Sequence, residues 1–363
     1  MGKKLHASAQ RPRRSGGILS LTWPIFIELL LQMLVGNADQ IMVGWYDPNG
    51  VGAIGNANQI TNLLLLVFSV ICTASMILIA QYIGAEDTKR VNETYTVSLV
   101  VNGIFGLAIG GLLMALCGPI FHLMKVPEEI FADTCLYIRI IGGGMVFQSI
   151  YLTFTAFFRS SQMMKETMLI SVLMNLMNIG GNALLINGAF GLPALGVAGA
   201  AVSSDVSRIF GVVVIAILFR RRFGPVIRLS HLRPFPVDQL RRLLRIGLPT
   251  GGESISYNLS QICIQSICNN FALFVINTRV YANMFSMLTY MFASAVSQAT
   301  QVVVARLMGA EQIEEVDRRV KRTLLASLVI STLVSVVLYL CSTPLLRLLT
   351  SDQAVLELFH TIM

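Results

Sequence analysis

The stretch LTWPIFIELLLQMLVGNADQIMVG, residues 21–44, carries two charged side chains, Glu28 and Asp39, among residues that are otherwise apolar, small or uncharged. About 20 predominantly apolar residues in a helix cross the hydrocarbon core of a bilayer. In hydrocarbon a helix is a favoured solution because it satisfies its backbone polar groups internally. Read as a membrane span, the stretch makes a demand on its acids. A carboxylate away from water is costly, so it faces the bundle or a cavity and marks a candidate site.

Working outward, the rest of the chain has the same character. Its 363 residues are 55% hydrophobic and 13% charged, with a mean hydropathy of +0.70. The apolar residues fall in blocks at 18–45, 52–83, 93–120, 131–157, 167–188, 194–219, 243–276, 280–307 and 323–346. The blocks predict an all-α membrane protein of nine spans, with residues 354–363 beginning a tenth. Strands of a membrane barrel would alternate over about 10 residues, and these runs are longer and unalternating. The apolar run after the basic first seventeen residues is too long for the h-region of a cleaved signal. The six cysteines lie in or at the ends of apolar runs and lack metal-site spacing, so they read as small core residues rather than a disulfide framework.

Charge sets the expected orientation. With the N-terminus in the cytoplasm, 22 Lys and Arg fall on inside segments and three on outside ones, Lys125, Arg279 and Arg347, while Arg139 and Arg208 lie within spans. That asymmetry follows the positive-inside rule. The net charge of +8 therefore calls for no nucleic-acid partner. It reflects topology, with room for anionic lipid contact.

An internal repeat emerges on comparing AQYIGAEDTKRVN, from Ala80, with ARLMGAEQIEEVD, from Ala305: five of thirteen positions are identical at an offset of 225. The same offset carries Pro24 onto Pro249, Glu28 onto Glu253, Gln40 onto Gln265 and Pro119 onto Pro344. Six spans separate the two prolines, so the halves run parallel, and sites of such folds tend to lie between repeats near the midplane. The expected organisation is a cytoplasmic basic tail at 1–17, an N-terminal six-helix lobe at 18–219, a cytoplasmic linker at 220–242 and a partial C-terminal lobe at 243–363. By the offset, a full second lobe would run about three spans further, and truncation is the favoured explanation.

Three stretches together, LTWPIFIELLLQMLVGNADQIMVG, AQYIGAEDTKRVN and NIGGNALLINGAFGLPALGVAGAAVSS (178–204), resemble the multidrug and toxic compound extrusion (MATE) family. The resemblance covers nearly the whole chain. It implies two six-helix lobes and export of cationic amphipathic compounds against inflow of protons or sodium. Asp39 matches the family's acid on the first helix. The fifth helix reads Asn178-Ile-Gly-Gly-Asn182 where many members have Asn-x-x-x-Asp, so one carboxylate is an amide here. Ser204 stands where relatives often have Thr, and keeps the hydroxyl. Some branches carry a Glu seven residues past the second proline; Glu253 is four past Pro249, so that role is not carried over.

Asp39 is thus the candidate exchanger of a proton or sodium ion, set against an ordinary acid near the outer mouth. Asn178 and Asn182 are i, i+4 and share a helix face; they either coordinate a cation or polar substrate group, or hydrogen-bond between helices, as Asn does in membranes. Glu28 and Glu253, each one turn past a proline, either line a substrate cavity or pair locally. Asn258, Gln261 and Gln265 form a polar stripe on the seventh span, and Met284, Met287 and Met291 recur on the eighth, where Met suits either plain packing or a promiscuous apolar surface. Asp205 and Arg208, at i, i+3, read as a buried pair, Arg139 as structural, and the GGG at 142–144 as a place of close helix approach.

The chain has no nucleophile–base arrangement, zinc signature or Walker motif. The expectation is therefore not an enzyme or an ATP-driven pump but a monomeric antiporter of the cell membrane without a cofactor. A proton or sodium ion drives it, and its substrate is a small organic cation. Its coupling group is Asp39, which would also hold sodium, with Asn178, Asn182 and Ser204. Its cavity residues are Glu28, Glu253, Gln261, Gln265 and Met287. The rivals are a lipid-linked precursor flippase, disfavoured by the few Arg and Lys within spans, and a truncated membrane protein that does not transport.

Overall fold

The computed structural model describes residues 18–188, 191, 193–232, 235–268 and 273–347. Among these the chain folds into nine long helices: α1 (Ile18–Gly44), α2 (Pro48–Gly84), α3 (Thr88–Leu123), α4 (Glu128–Ser160), α5 (Met164–Leu185), α6 (Gly196–Phe223), α7 (Val237–Cys268), α8 (Leu273–Gly309) and α9 (Ile313–Arg347), with a 3-10 turn at Leu229–Leu232. Local chemistry sets several starts. Asp47 caps α2 by accepting from the Asn49 amide at 3.0 Å, with Pro48 in the first turn, and Asp87 caps α3 by accepting from the Arg90 amide at 3.0 Å. A side-chain oxygen at this position satisfies an N–H that the helix leaves open.

Helices α1 to α6 pack as one bundle in which α4 is central, touching α2, α3 and α6, while α5 lies between α1 and α6. One core layer is aromatic and gathers Tyr95, Phe154, Phe157, Phe158, Phe219 and Phe223. A second, around Phe68, Phe121, Ile138 and Met145, fills the other end. Helix α8 lies across α1 and α2, and α7 packs on α2. The seam with α8 is built from small side chains, Ala80, Ala156, Ala295, Ala299 and Ala305, as expected where helices associate closely in a membrane. Leucines and isoleucines on the outer faces of α3, α5 and α6 are exposed, which in hydrocarbon costs nothing.

The two Gly-Ala-Glu turns adopt one conformation. Glu86 and Glu311 both sit at φ 58°. Ala85 and Ala310 donate back to the Gln81 and Arg306 carbonyls, each at 3.0 Å. The turns also meet each other. A Cβ on Gly84 would fall inside contact distance of the Arg306 carbonyl, and one on Gly309 inside that of the Gln81 carbonyl. Glycine is required at both places because backbone meets backbone.

Several sequence expectations are refined. Seven of the described helices are long and apolar enough to cross a membrane, α1 to α6 and, within α9, Ile313–Val337. Helices α7 and α8 have the length, but α7 is diluted by Asp238, Arg241, Arg242, Arg245, Glu253 and its amides. The outer turn expected around Arg279 is absent there, because residues 273–309 form one continuous helix. The expected linker 220–242 shortens to 224–236, since α6 and α7 extend into it. The basic tail 1–17 and the tenth apolar segment at 354–363 lie outside the described residues.

Candidate functional site

Asp39 lies three-quarters of the way along α1 and is 5% exposed. Its carboxylate accepts from Asn182 Nδ2 at 2.5 Å and from Ser204 Oγ at 3.2 Å. Asn178 Nδ2 in turn donates to Ser204 Oγ at 3.0 Å, and Ser203 Oγ donates to the Asn178 carbonyl at 2.8 Å. Three helices therefore converge on one carboxylate. Helix α5 supplies two amides on one face because the residues are one turn apart. Helix α6 supplies the hydroxyl, and its small Gly, Ala and Ser residues let it approach.

The electrostatics follow from this packing. A desolvated carboxylate keeps its charge only with donors or a cation beside it. Two donors are present, and both amides leave an oxygen without a hydrogen-bond partner among the described residues, Asn178 Oδ1 and Asn182 Oδ1. With the Asp39 carboxylate and Ser204 Oγ these are hard oxygen atoms, the ligand type that could hold a small hard cation. One turn along α6, Arg208 Nη1 bonds Asp205 Oδ1 at 3.1 Å, the pair expected from its i, i+3 spacing, here only partly buried. The Asp205 carboxylate packs against Gly144, and the Gly142 carbonyl against Gly110, so the GGG run serves close approach.

Glu28 is fully buried, eleven residues before Asp39 on the same helix. It is paired: Arg159 Nη2 lies 2.8 Å from Glu28 Oε2, and Thr167 Oγ1 donates to the same oxygen at 3.3 Å. Arg159 Nη1 also donates to Gln298 Oε1 on α8, at 2.6 Å. Its repeat counterpart Glu253 is exposed on α7, as is Met287 on α8; Gln261 is partly buried and the Gln265 side chain lies outside the described residues. Arg139 donates through Nε to Cys117 Sγ at 3.1 Å, a structural contact. Sequence reasoning missed Arg159 and Thr167. The available signal was helical spacing, since Tyr151, Thr155 and Arg159 recur every four residues on α4.

The chain and its fold have known counterparts. The MatE family profile matches residues 24–184 and 249–363. A relative described as "Uncharacterized transporter YisQ" from Bacillus subtilis is 34% identical over 339 residues, covering 93% of this chain and 74% of the relative. A "Probable multidrug resistance protein NorM" from Thermotoga maritima is 27% identical over 352 residues, covering 94% and 73%. Among solved structures, a MATE protein in the bent conformation superposes with a TM-score of 0.89 at 20% identity over 98% of this chain and 79% of that one. An outward-facing MATE transporter superposes with a TM-score of 0.85 at 21% identity over 95% and 76%. With the family profile spanning most of a many-helix bundle, the chain belongs to the MatE family of multidrug and toxic compound extrusion transporters, multi-pass membrane proteins of multidrug efflux rather than enzymes.

Proposed function

We propose that this chain is a cation-coupled antiporter that exports amphipathic organic cations by alternating access, with Asp39 as the ion-coupling group. The observation that carries the reading is the buried Asp39 carboxylate, held by Asn182 and Ser204 with two unpartnered amide oxygens alongside. An incoming proton or sodium ion neutralises Asp39 and removes the need for its donors. That loosens α1 against α5 and α6, and α1 carries Pro24, a natural flexing point. The site lobe then releases drug, and the ion is given up on the other side. Each charge crossing the membrane yields about 2.3 kcal/mol per 100 mV, enough to drive such a step. The chain works as a monomer in the lipid bilayer and needs no cofactor.

The same reading includes two parallel repeats related by the 225-residue offset, with the N-terminus in the cytoplasm. Its support is that the family profile matches two segments, which begin at Pro24 and Pro249, and that the turns at Glu86 and Glu311 share φ and hydrogen bonding.

The test is ethidium efflux from vesicles under separate proton and sodium gradients, comparing wild type with Asp39→Asn. Gradient-driven efflux in the wild type and its loss in the variant is the expected result, and the arm that drives it names the ion. Efflux unchanged by the substitution removes Asp39 from the coupling.

A further inference from the structure

Asp39 and Glu28 share a face of α1: eleven residues are close to three full turns, or about 16 Å along the axis. The helix packed against that face, α5, presents polar residues at Thr167, Ser171, Asn175, Asn178 and Asn182, a spacing of four, four, three and four. Its ends are bonded to the two acids, Thr167 to Glu28 and Asn182 to Asp39. From α4, Tyr151 and Thr155 reach the same region; the Tyr151 hydroxyl lies in the field of Glu28 and within side-chain reach of Thr155 and Ser171.

Along this seam, Glu28 Oε1, Asn175 Nδ2, Asn178 Oδ1 and Asn182 Oδ1 are buried without a hydrogen-bond partner among the described residues. Buried polar atoms are ordinarily satisfied, so three unpartnered amide atoms on α5 together with a free oxygen of Glu28 are a lining for something polar. The Glu28 end is also incompletely served. One carboxylate oxygen holds both Arg159 and Thr167 while the other holds nothing among the described residues, and Arg159 leaves its own Nε unpaired there. The second contact of Arg159, Gln298, belongs to α8, which lies outside the six-helix bundle.

We infer that Glu28 is a second monovalent-cation site, joined to Asp39 by the polar seam of α1, α4 and α5, and that Arg159 is the resident cation that occupies it in this conformation. The inference rests on the antiporter reading of Asp39. While α8 is docked, Gln298 holds Arg159 on Glu28 and no ion enters. When α8 moves away, Arg159 loses an acceptor and follows, and Glu28 receives the proton or sodium ion that Asp39 gives up. The charged and titratable groups facing this site are Arg159 and Tyr151 from α4; α5 offers Thr167, α8 offers Gln298, and from α2 the Cys72 thiol lies in the field of Arg159.

The experiment counts ions bound by the full chain in lipid nanodiscs. One arm measures radioactive sodium binding at pH 8.5. The other measures proton uptake on a jump to pH 6 in sodium-free, weakly buffered medium, as a difference between variants. The expected wild-type result is one ion, lost in Asp39→Asn. Arg159→Gln unmasks the second site and gives two; adding Asp39→Asn to it leaves one, and further adding Glu28→Gln leaves none. If Arg159→Gln with Asp39→Asn binds nothing in either arm, the Glu28 site is wrong and the Asp39 reading stands. If Asp39→Asn alone keeps the wild-type ion, or the wild type binds none, the Asp39 reading fails. Should Arg159→Gln not fold, Arg159→Lys, which lacks the fork that bridges Glu28 and Gln298, is used in its place. It is expected to raise sodium or proton occupancy of the Asp39→Asn protein above zero, and no rise overturns the proposal.

Discussion

Asp39 is held by two donors, Asn182 Nδ2 and Ser204 Oγ. Hydrogen bonds to a charged group contribute about 1.5–3 kcal/mol each, and only donors that position the carboxylate for an ion help to bind it. Asn182 also brings an unpartnered oxygen, so it serves as both donor and ligand. With sodium as the ion, Asn182→Ala is therefore expected to raise the concentration for half-maximal efflux by about tenfold or more, and Ser204→Ala by less. With a proton as the ion, losing either donor favours the neutral carboxyl and shifts the curve to lower proton concentration, again more for Asn182. Ion-dependence curves of efflux in vesicles check the order, and a larger effect at Ser204 contradicts it.

The helix ends carry a different constraint. Gly84 closes α2 and Gly309 closes α8, and each backbone rests on a carbonyl of the other helix. A methyl group at either position forces the backbones apart, and overpacking of this kind costs about 1–3 kcal/mol. Gly84→Ala and Gly309→Ala should each lower the thermal unfolding midpoint in detergent. Their double variant should fall short of the sum, because residues that share a contact do not act independently. Gly103, inside α3 with open space where a methyl group would sit, is the control: Gly103→Ala should leave the midpoint unchanged or raised, since Ala is the better helix former. Both loops were legible as helix ends in the sequence, but not their mutual contact, which joins Gly84 to Arg306 and Gln81 to Gly309 across more than 220 positions.

Over the molecule as a whole, the distribution of basic residues predicts which end faces the cytoplasm. By the positive-inside rule the stretch from Arg220 to Arg245 and the turns at 85–87 and 310–312 are predicted to lie inside, and Lys125 outside. On a background with its six cysteines replaced, a cysteine at Lys125 should react with a membrane-impermeant maleimide in intact cells. One at Lys89 should react only after permeabilisation, and the reverse pattern inverts the assignment. The apolar blocks located most helices well, yet the turn placed at Arg279 was wrong. A single Arg in an apolar stretch marks a loop in a composition profile, whereas the backbone continues as helix wherever its hydrogen bonds stay satisfied.

By itself the sequence determined that this is a many-helix membrane protein with an acid in its first span, because the bilayer imposes length and apolarity on every span locally. It also named the residue types of the Asp39 group, through motif resemblance. Only the tertiary structure decided that Glu28 is buried against Arg159 and Thr167 while Glu253 is exposed, and that Gln298 reaches Arg159 from α8. Those pairings depend on which helix faces meet, and periodicity along one helix carries no record of its neighbour.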